Sequence, residues 1–239
     1  MSDKNDIVDF KLIVETAANI PIIPRMNEYT CEKHGAFTGI SQYRCPKCMK
    51  EEVAKDEKKE LDRKVLLKKQ ELEIGERYLN ATFDNYEITT DEQRNAVDLL
   101  SKYYADKNII LTGTIGSGKT HLMMATIDRL IRIGKKCAYV KYYNLHDIVI
   151  NKRDFYNYLL NCDFLVIDEF GVHDSSGKIS FLNELCDQRW DRNKYTAIIT
   201  NMKGSEVKNS IHETTYSRLK HCCIAINFTD KNDYRLKGV

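Results

Sequence analysis

The sequence predicts an α/β protein built on a parallel five-stranded sheet with helices on both faces, preceded by a small N-terminal module and a charged helical segment. Three observations support this fold class. Short apolar strands alternate with helical segments through most of the 239-residue chain, which favours a parallel sheet. The first of these strands leads into a glycine-rich loop. Near the start of the chain, three cysteines and a histidine are spaced as two pairs, which is typical of a metal-binding module.

The elements of the main domain are predicted from runs of apolar residues bounded by turn residues. We place strands at residues 108–112, 137–141, 163–167, 196–200 and 222–226. Helices are predicted at 91–105, directly after the glycine-rich loop, at 144–160 and at 179–190. Because a helix separates each strand from the next, the chain can return to the same end of the sheet and every strand can run in the same direction.

The glycine-rich loop matches the phosphate-binding pattern G-x-x-x-x-G-K-[ST] in full. Its residues are Gly113, Thr114, Ile115, Gly116, Ser117, Gly118, Lys119 and Thr120, and His121 follows in the helix. The glycines allow positive φ and a close approach to an anion, so that backbone N–H groups face the phosphates. Lys119 is expected to reach the β- and γ-phosphates, and the Thr120 hydroxyl to hold Mg²⁺. The loop predicts a nucleoside triphosphate site, but nothing in it distinguishes adenine from guanine.

A second motif supports the first, because the apolar run at 164–167 ends in Asp168 and Glu169. This is the form of a Walker B element, and its distance from the loop leaves room for one helix, strand and helix. Asp168 is expected to hold Mg²⁺, while Glu169 orients or deprotonates the water that attacks the γ-phosphate. The acidic pair indicates hydrolysis.

Three further polar residues are candidates for the same site. Asn201 follows the fourth strand, at the sheet edge where such folds bind ligands, and could hold the attacking water. Arg218 comes at a short helix and Arg235 near the end of the chain. We expect Arg218 to reach the phosphate of a neighbouring subunit and Arg235 that of its own.

The N-terminal pairs are Cys31 with His34 and Cys45 with Cys48. Each pair has i, i+3 spacing on either side of a short loop, which suits one tetrahedral Zn²⁺ with three thiolates and one imidazole. The surrounding segment has little apolar core, so the metal would supply its folding energy. Because protein groups fill all four positions, the predicted zinc site is structural.

Composition sets limits without naming a partner. Hydrophobic residues make up 42% and charged residues 30% of the chain, as in a soluble globular protein. The net charge of +2 neither requires nor excludes nucleic acid. No apolar run of membrane length and no signal peptide is evident, so we expect a cytoplasmic protein without a membrane partner. The other five cysteines are expected to be small core residues, namely Cys137, Cys162, Cys186, Cys222 and Cys223.

The expected domains are a zinc-binding module at 1–50, a charged helical linker at 51–79 and an ATPase domain at 80–239. The linker is rich in lysine and glutamate, which is typical of a solvated helix. An amphipathic helix is predicted within residues 7–18, where apolar positions recur at helical spacing. It either packs on its own domain or docks on a partner, and the sequence does not choose between the two.

From about Phe83 onward, the chain resembles the DnaC-type helicase loaders, a branch of the AAA+ ATPases. The resemblance is carried by the phosphate loop, the Walker B strand continuing to Val172, and four shorter motifs. These are Asp187-Gln188-Arg189, Thr200-Asn201, Tyr216-Ser217-Arg218-Leu219 and Asp233-Tyr234-Arg235. The zinc module is similar to the N-terminal helicase-binding part of some members.

The resemblance implies ATP as the nucleotide and slow ATP hydrolysis used as a switch. It makes Asn201 the first sensor, Arg218 the arginine finger and Arg235 the second sensor. It also implies a hexameric replicative helicase and single-stranded DNA as partners, and self-association into an ATP-dependent spiral or ring. Thr214 departs from the family, since many loaders have a second arginine there.

One segment and two alternative functions stay open. In this family the region of Lys141, Tyr142 and Tyr143 lies near single-stranded DNA, but the two tyrosines could equally be a buried pair. A transposition helper ATPase, which binds duplex DNA and recruits a transposase, has a related ATPase domain. A scaffold that keeps ATP only as a structural ligand is the third reading.

Overall fold

The structure is a computed structural model that describes residues 25–43, 45–171 and 178–229. The chain divides into two compact units between Glu60 and Leu61. The helix predicted within residues 7–18 lies outside the described residues, as does Arg235. In the described ranges, no helix has both the length and the apolar character that a membrane span needs.

The first unit contains an antiparallel hairpin that the sequence did not predict. Strands β1 (Asn27–Cys31) and β2 (Gly35–Gly39) pair directly, with Tyr29 opposite Phe37. Gly35 begins β2 at φ +75°, a left-handed conformation that favours glycine after the tight turn. Helix α1 (Pro46–Glu71) follows and begins with a proline, which is well placed there because its missing N–H needs no helical partner.

The second unit is built on a five-stranded sheet in which every pairing is parallel. Its strands are β3 (Asn108–Gly113), β4 (Cys137–Lys141), β5 (Phe164–Phe170), β6 (Tyr195–Thr200) and β7 (Cys223–Phe228). The spatial order is β4-β5-β6-β3-β7. The predicted parallel five-stranded sheet is therefore confirmed, with strand ends that differ from the prediction by only a few residues.

Helices cover both faces of this sheet. They are α2 (Glu76–Leu79), α3 (Asp91–Leu100), α4 (Lys119–Arg132), α5 (Leu145–Asn151), α6 (Arg153–Asn161), α7 (Lys178–Asp191), α8 (Gly204–Ser210) and α9 (Glu213–Lys220). Side chains of β5 alternate between the two cores: Phe164 and Val166 enter one, Leu165 and Ile167 the other. Because both faces are buried, the strand reads as a continuous apolar run.

Two predicted helices are shorter than expected. The helix expected to reach residue 105 ends at Leu100, and Ala105 has φ +57°, which a helix cannot contain. The helix expected at 144–160 is interrupted at Lys152, whose φ of −125° and ψ of 60° lie outside the helical region. A 3₁₀ turn at Tyr142–Asn144 precedes it.

The charged segment predicted at 51–79 contains a buried cation. Lys69 is 1% exposed, and its Nζ lies 3.1 Å from Asp128 Oδ1 and 3.0 Å from the Ala81 carbonyl. Arg132 in turn pairs with Asp128 (2.7 Å) and with Asp62 (2.5 Å). Burial lowers the pKa of Lys69, while the charge of Asp128 opposes that shift. This network attaches the end of α1 to α4, so residues 61–79 belong to the second unit.

We expect Lys69→Met to lower the free energy of unfolding of the second unit by about 2 kcal/mol. The Ala81 carbonyl would lose its donor, whereas Asp128 would keep Arg132, which holds the cost below that of an isolated buried charge. Urea unfolding measures the change. The neighbouring Lys68→Met is the matched control, because Lys68 is exposed and should change stability by less than about 0.5 kcal/mol. Equal effects of the two variants would contradict the role of the network.

Candidate nucleotide and metal sites

The phosphate loop joins β3 to α4 and has glycines where the backbone requires them. Gly113 has φ +135°, and a Cβ there would lie 2.3 Å from the Phe228 carbonyl oxygen. Gly118 has φ +88° at the start of α4, and its Cβ would lie 2.7 Å from Tyr86 Oη. Both positions therefore exclude side chains through backbone conformation and through space. The result is an open helix N-terminus facing a cavity.

Lys119 holds its charge inside the loop. It is 6% exposed, and Nζ donates to the carbonyls of Gly113 (3.0 Å) and Thr114 (2.6 Å) and to Ser117 Oγ (3.2 Å). A bound anion would stabilise this buried ammonium group, because the opposite charge offsets the free energy lost when the group left water. The loop therefore presents a fixed positive charge to phosphate.

Oxygen ligands suited to Mg²⁺ meet at the end of β5. Thr120 Oγ1 donates to Asp168 Oδ2 (3.1 Å), and Tyr139 Oη donates to the same oxygen (3.2 Å). Burial raises the pKa of the Asp168 carboxyl above its usual value. No salt bridge to Asp168 occurs among the described residues. A buried carboxylate without a cation beside a hydroxyl fits a hard divalent ion.

A β-bulge determines where Glu169 points. Ile167 pairs with Ile198 and Phe170 with Thr200, so β5 has one more residue than β6 over this interval. Glu169 takes up the difference at φ +58°, in the left-handed region. Its Oε1 lies 3.4 Å from Lys141 Nζ in a half-exposed ion pair. Strain of this kind is common where a side chain is re-aimed at a functional site.

The cavity beside the loop has a volume of about 610 Å³, and the acidic pair and Asn201 line one side of it. It is also lined by Arg77, Tyr78, Asn85, Tyr86, Glu87 and Gln93. His121 Nε2 donates to the Thr82 carbonyl (3.3 Å) and Asn85 Oδ1 (3.1 Å), which are both acceptors. Burial lowers the pKa of His121 and so favours the neutral ring. This volume is in the range of small-molecule sites.

The other predicted residues are placed as follows. Arg218 does not line the cavity; it lies in α9, and its Nη1 pairs with Asp187 Oδ1 at 2.9 Å. Tyr142 is fully buried against Phe170 and so offers no stacking surface. Tyr143 is 41% exposed and lines the cavity, with Lys141 Nζ 5.5 Å from its ring centre. Of the two tyrosines, only the second can contact a ligand.

The four predicted zinc ligands converge in the first unit. Their candidate ligand atoms lie within 4.8 Å of one another. His34 Nδ1 is 3.3 Å from Cys48 Sγ, 3.7 Å from Cys45 Sγ and 3.8 Å from Cys31 Sγ. Backbone N–H groups of the turn lower the pKa of Cys31 to about 6 and so favour its thiolate, the form that binds metal. Three sulfurs and one imidazole nitrogen fit tetrahedral Zn²⁺.

Glu51 supports this cluster and was not predicted from the sequence. Its Oε1 lies 3.0 Å from His34 Nε2, and its other oxygen pairs with Lys33. A carboxylate on the outer nitrogen fixes the ring so that Nδ1 faces the sulfurs, an arrangement common around protein-bound zinc. The signal available was an acidic residue one helical turn after Cys48.

The fold and the loop together define a P-loop nucleotide-binding protein with an AAA+-type fold. Its parallel sheet has the phosphate loop after β3 and the acidic pair on β5, with β6 between these two strands. The chain belongs to the family of IstB-like ATP binding proteins, whose model matches residues 38–238.

Curated relatives include replicative helicase loaders named DnaC. The protein from Buchnera aphidicola subsp. Schizaphis graminum is 28% identical over 162 residues, which cover 62% of this chain and 66% of that protein. The Escherichia coli K12 protein is 29% identical over 158 residues, covering 59% and 63%. The chain thus spans slightly less than two thirds of these relatives. The predicted resemblance to DnaC-type proteins is confirmed.

Solved structures show the same fold. A crystal structure of the DnaC helicase loader has a TM-score of 0.58 at 20% identity, covering 65% of this chain and all of that one. A crystal structure of DnaI has a TM-score of 0.56 at 18% identity, covering 67% and 94%. AMPPCP-bound DnaA from Aquifex aeolicus has a TM-score of 0.54 at 18% identity, covering 68% and 53%.

Proposed function

We propose that this protein is an ATP-hydrolysing loader that places a hexameric replicative DNA helicase on single-stranded DNA. The observation that carries the proposal is the contact of Thr120 with Asp168 beside a bulge that turns Glu169 toward the cavity. The helicase part of the proposal is supported by the names of the curated relatives. Hydrolysis would act as a switch between loading and release.

In the proposed reaction, Lys119 exchanges the loop carbonyls for oxygens of the β- and γ-phosphates. Thr120 and Asp168 would hold Mg²⁺, which would neutralise part of the charge on the phosphates. Glu169 takes the proton of the attacking water, and Asn201 holds that water in place. Glu169 must first leave Lys141, which is easily done because half-exposed ion pairs contribute little stability.

Subunits are proposed to assemble through ATP into a spiral or ring. Arg218 would serve as the arginine finger toward a neighbour's γ-phosphate. In the single chain its guanidinium pairs with Asp187, and Thr215 Oγ1 donates to the same carboxylate (3.1 Å). These contacts hold the arginine in a defined place on the surface, away from its own nucleotide cavity. Arg235 is proposed as the second sensor.

The zinc-binding module is proposed to grip the helicase, and the ATPase domain to contact single-stranded DNA. Zinc, when bound, would order the hairpin and the first turn of α1 around one centre. Tyr143 offers an exposed ring on which a base can stack, with Lys141 beside it. This contact would place DNA close to Glu169, so that binding of the strand and release of the carboxylate are coupled.

Native mass spectrometry of the full chain mixed with the host's replicative helicase tests the loader role. We expect a complex with ATP that disappears in a Cys31→Ala, Cys48→Ala double variant. Cys222→Ala is the matched control, because Cys222 is an exposed cysteine of the second unit and should leave the complex intact.

Three results would contradict the proposal. If the complex survives loss of both thiols, the helicase-binding site does not depend on the zinc module. Failure of the wild-type protein to bind helicase under any nucleotide condition, together with ATP-dependent binding of duplex DNA, would favour the transposition helper. Absence of hydrolysis even with helicase and single-stranded DNA would favour the scaffold.

A further inference from the structure

A buried glutamine borders the nucleotide cavity and takes no part in the chemistry above. Gln93 is 2% exposed and lies in the first turn of α3. Its backbone N–H donates to Thr90 Oγ1 (3.2 Å), and its side chain closes the reciprocal half of this capping box. It also lines the 610 Å³ cavity.

Three donors fix the orientation of this amide. Oε1 accepts from the Thr89 N–H (2.7 Å), the Thr89 hydroxyl (3.0 Å) and the Thr90 N–H (3.2 Å). A flipped amide would place its NH₂ against two backbone N–H groups, so the oxygen must face the cap. The nitrogen is the end left toward the cavity. Within residues 25–43, 45–171 and 178–229, Nε2 has no hydrogen-bond partner.

The loop that contains Asn85 also borders the cavity and is attached to its phosphate side. Asn85 Nδ2 donates to the Asn80 carbonyl (2.7 Å), and its Oδ1 accepts from the Thr82 N–H (2.8 Å) and His121 Nε2 (3.1 Å). The last bond ties this loop to the first turn of α4. A ligand that fills the phosphate loop therefore meets a preformed wall, which lowers the ordering cost of binding.

We propose that Gln93 reads the base of the bound nucleotide by donating from Nε2 to a ring nitrogen of adenine. The inference rests on the proposed function, because it takes ATP as the occupant of the cavity. An NH₂ group can only donate, so its partner is N1 or N7 rather than the exocyclic amino group. Nε2 is not among the fully buried side-chain atoms that lack a partner in the described residues, so it is accessible from the cavity. A bound base displaces water from this donor, and a base that lacks an acceptor there leaves it unsatisfied and is disfavoured.

Glu87 also lines this cavity. An amide NH₂ and a carboxylate together match both edges of adenine that carry the amino group, because a ring acceptor adjoins a donor on each of them. They also match the Watson–Crick edge of guanine, where the O6 acceptor adjoins the N1–H donor. Adenine is therefore taken from the proposed function, and the preference for ATP over GTP is part of the test.

Gln93→Glu tests the contact, because a glutamate in this capping-box position keeps an oxygen for Thr89 and Thr90 but replaces the donor by an acceptor. Binding of ATP and of inorganic tripolyphosphate is measured calorimetrically on the full chain. We expect ATP affinity to fall by about 10- to 100-fold and tripolyphosphate affinity to stay within about twofold. Gln70→Glu, which adds the same charge at an exposed position of α1, should change neither.

Deaza analogues identify the acceptor. The wild type should bind either 1-deaza-ATP or 7-deaza-ATP about tenfold more weakly than ATP, and Gln93→Glu should no longer distinguish that analogue from ATP. Full affinity of the wild type for both analogues would overturn the proposal. So would unchanged ATP binding by Gln93→Glu, equal loss of tripolyphosphate binding, or a wild-type preference for GTP. A wild type that binds no ATP would instead overturn the proposed function, and this inference with it.

Discussion

Replacing Glu169 with glutamine is expected to slow ATP hydrolysis by at least about 100-fold, since general-base catalysis typically contributes that much or more. ATP affinity should stay within about twofold of the wild type. The amide keeps the size of the side chain but cannot accept a proton from water. The variant also loses the ion pair with Lys141, but at this exposure the pair contributes little to stability. Single-turnover hydrolysis and equilibrium binding of a fluorescent ATP analogue measure the two effects separately.

Glu184→Gln provides the matched control for this experiment. Glu184 is an exposed residue of α7 that bonds Gln188 and does not line the cavity, so its loss should leave turnover unchanged. Unimpaired turnover in the Glu169 variant would remove that residue from the proposed role. Loss of both hydrolysis and ATP binding would mean that the change disturbed the bulge rather than the chemistry.

Removal of zinc is expected to unfold the first unit. The purified protein should contain about one zinc per chain by elemental analysis, and a strong chelator should abolish amide-exchange protection in β1 and β2. From residue 25 to residue 60, most of the larger apolar side chains that the structure describes are exposed, namely Met26, Ile40, Tyr43, Met49 and Val53, so this part of the unit has little core of its own. Zinc binding to small modules supplies about 10 kcal/mol or more, which is enough to decide whether such a segment folds.

Cys45→Ser should reproduce the effect of the chelator, while Cys222→Ser should retain the metal. Protection in β3 and β6 should persist in both variants, because the sheet has its own apolar core. A zinc content far below one equivalent in freshly purified protein would contradict the assignment. Retained protection of the hairpin after complete chelation would show that the metal is not what folds it.

The sheet could be predicted from the sequence because its signals are local. In β5 the run Phe164-Leu165-Val166-Ile167 is apolar at every position, as a strand covered on both faces requires. The phosphate loop could be recognised for the same reason, since its glycines and Lys119 follow one another directly in the chain. The spacing of the four zinc-ligand candidates is local in the same sense.

Features that depend on distant pairing could not be predicted. The bulge at Glu169 follows from the register of β5 against β6, which local composition does not specify. Lys69 looks like its exposed neighbours, and only contact with Asp128 makes it a core residue. Tyr142 and Tyr143 are adjacent in sequence, yet one is buried and the other exposed. In each case the deciding partner lies far along the chain.

The candidate site divides in the same way. The structure brings Lys119, Asp168, Glu169 and Asn201 to one cavity. All four lie at or shortly after the carboxyl end of a strand, and these ends meet on one side of a parallel sheet. Arg218 stays away from that cavity, and its assignment depends on a second subunit. Gln93 carries no motif, and its orientation depends on the capping box that surrounds it.

The approach of Gly113 to the Phe228 carbonyl affects how this loop tolerates mutation. A side chain at Gly113 would collide with the neighbouring edge strand whether or not a nucleotide is present, so selection for folding alone should remove such variants. Ile115, in the same loop, is 58% exposed and should accept many replacements. Invariance of the glycine among relatives would therefore be weak evidence of ATP use. A substitution of Lys119 is a better test of ATP binding than one of Gly113, because it does not force the backbone to change and so should affect binding without affecting folding.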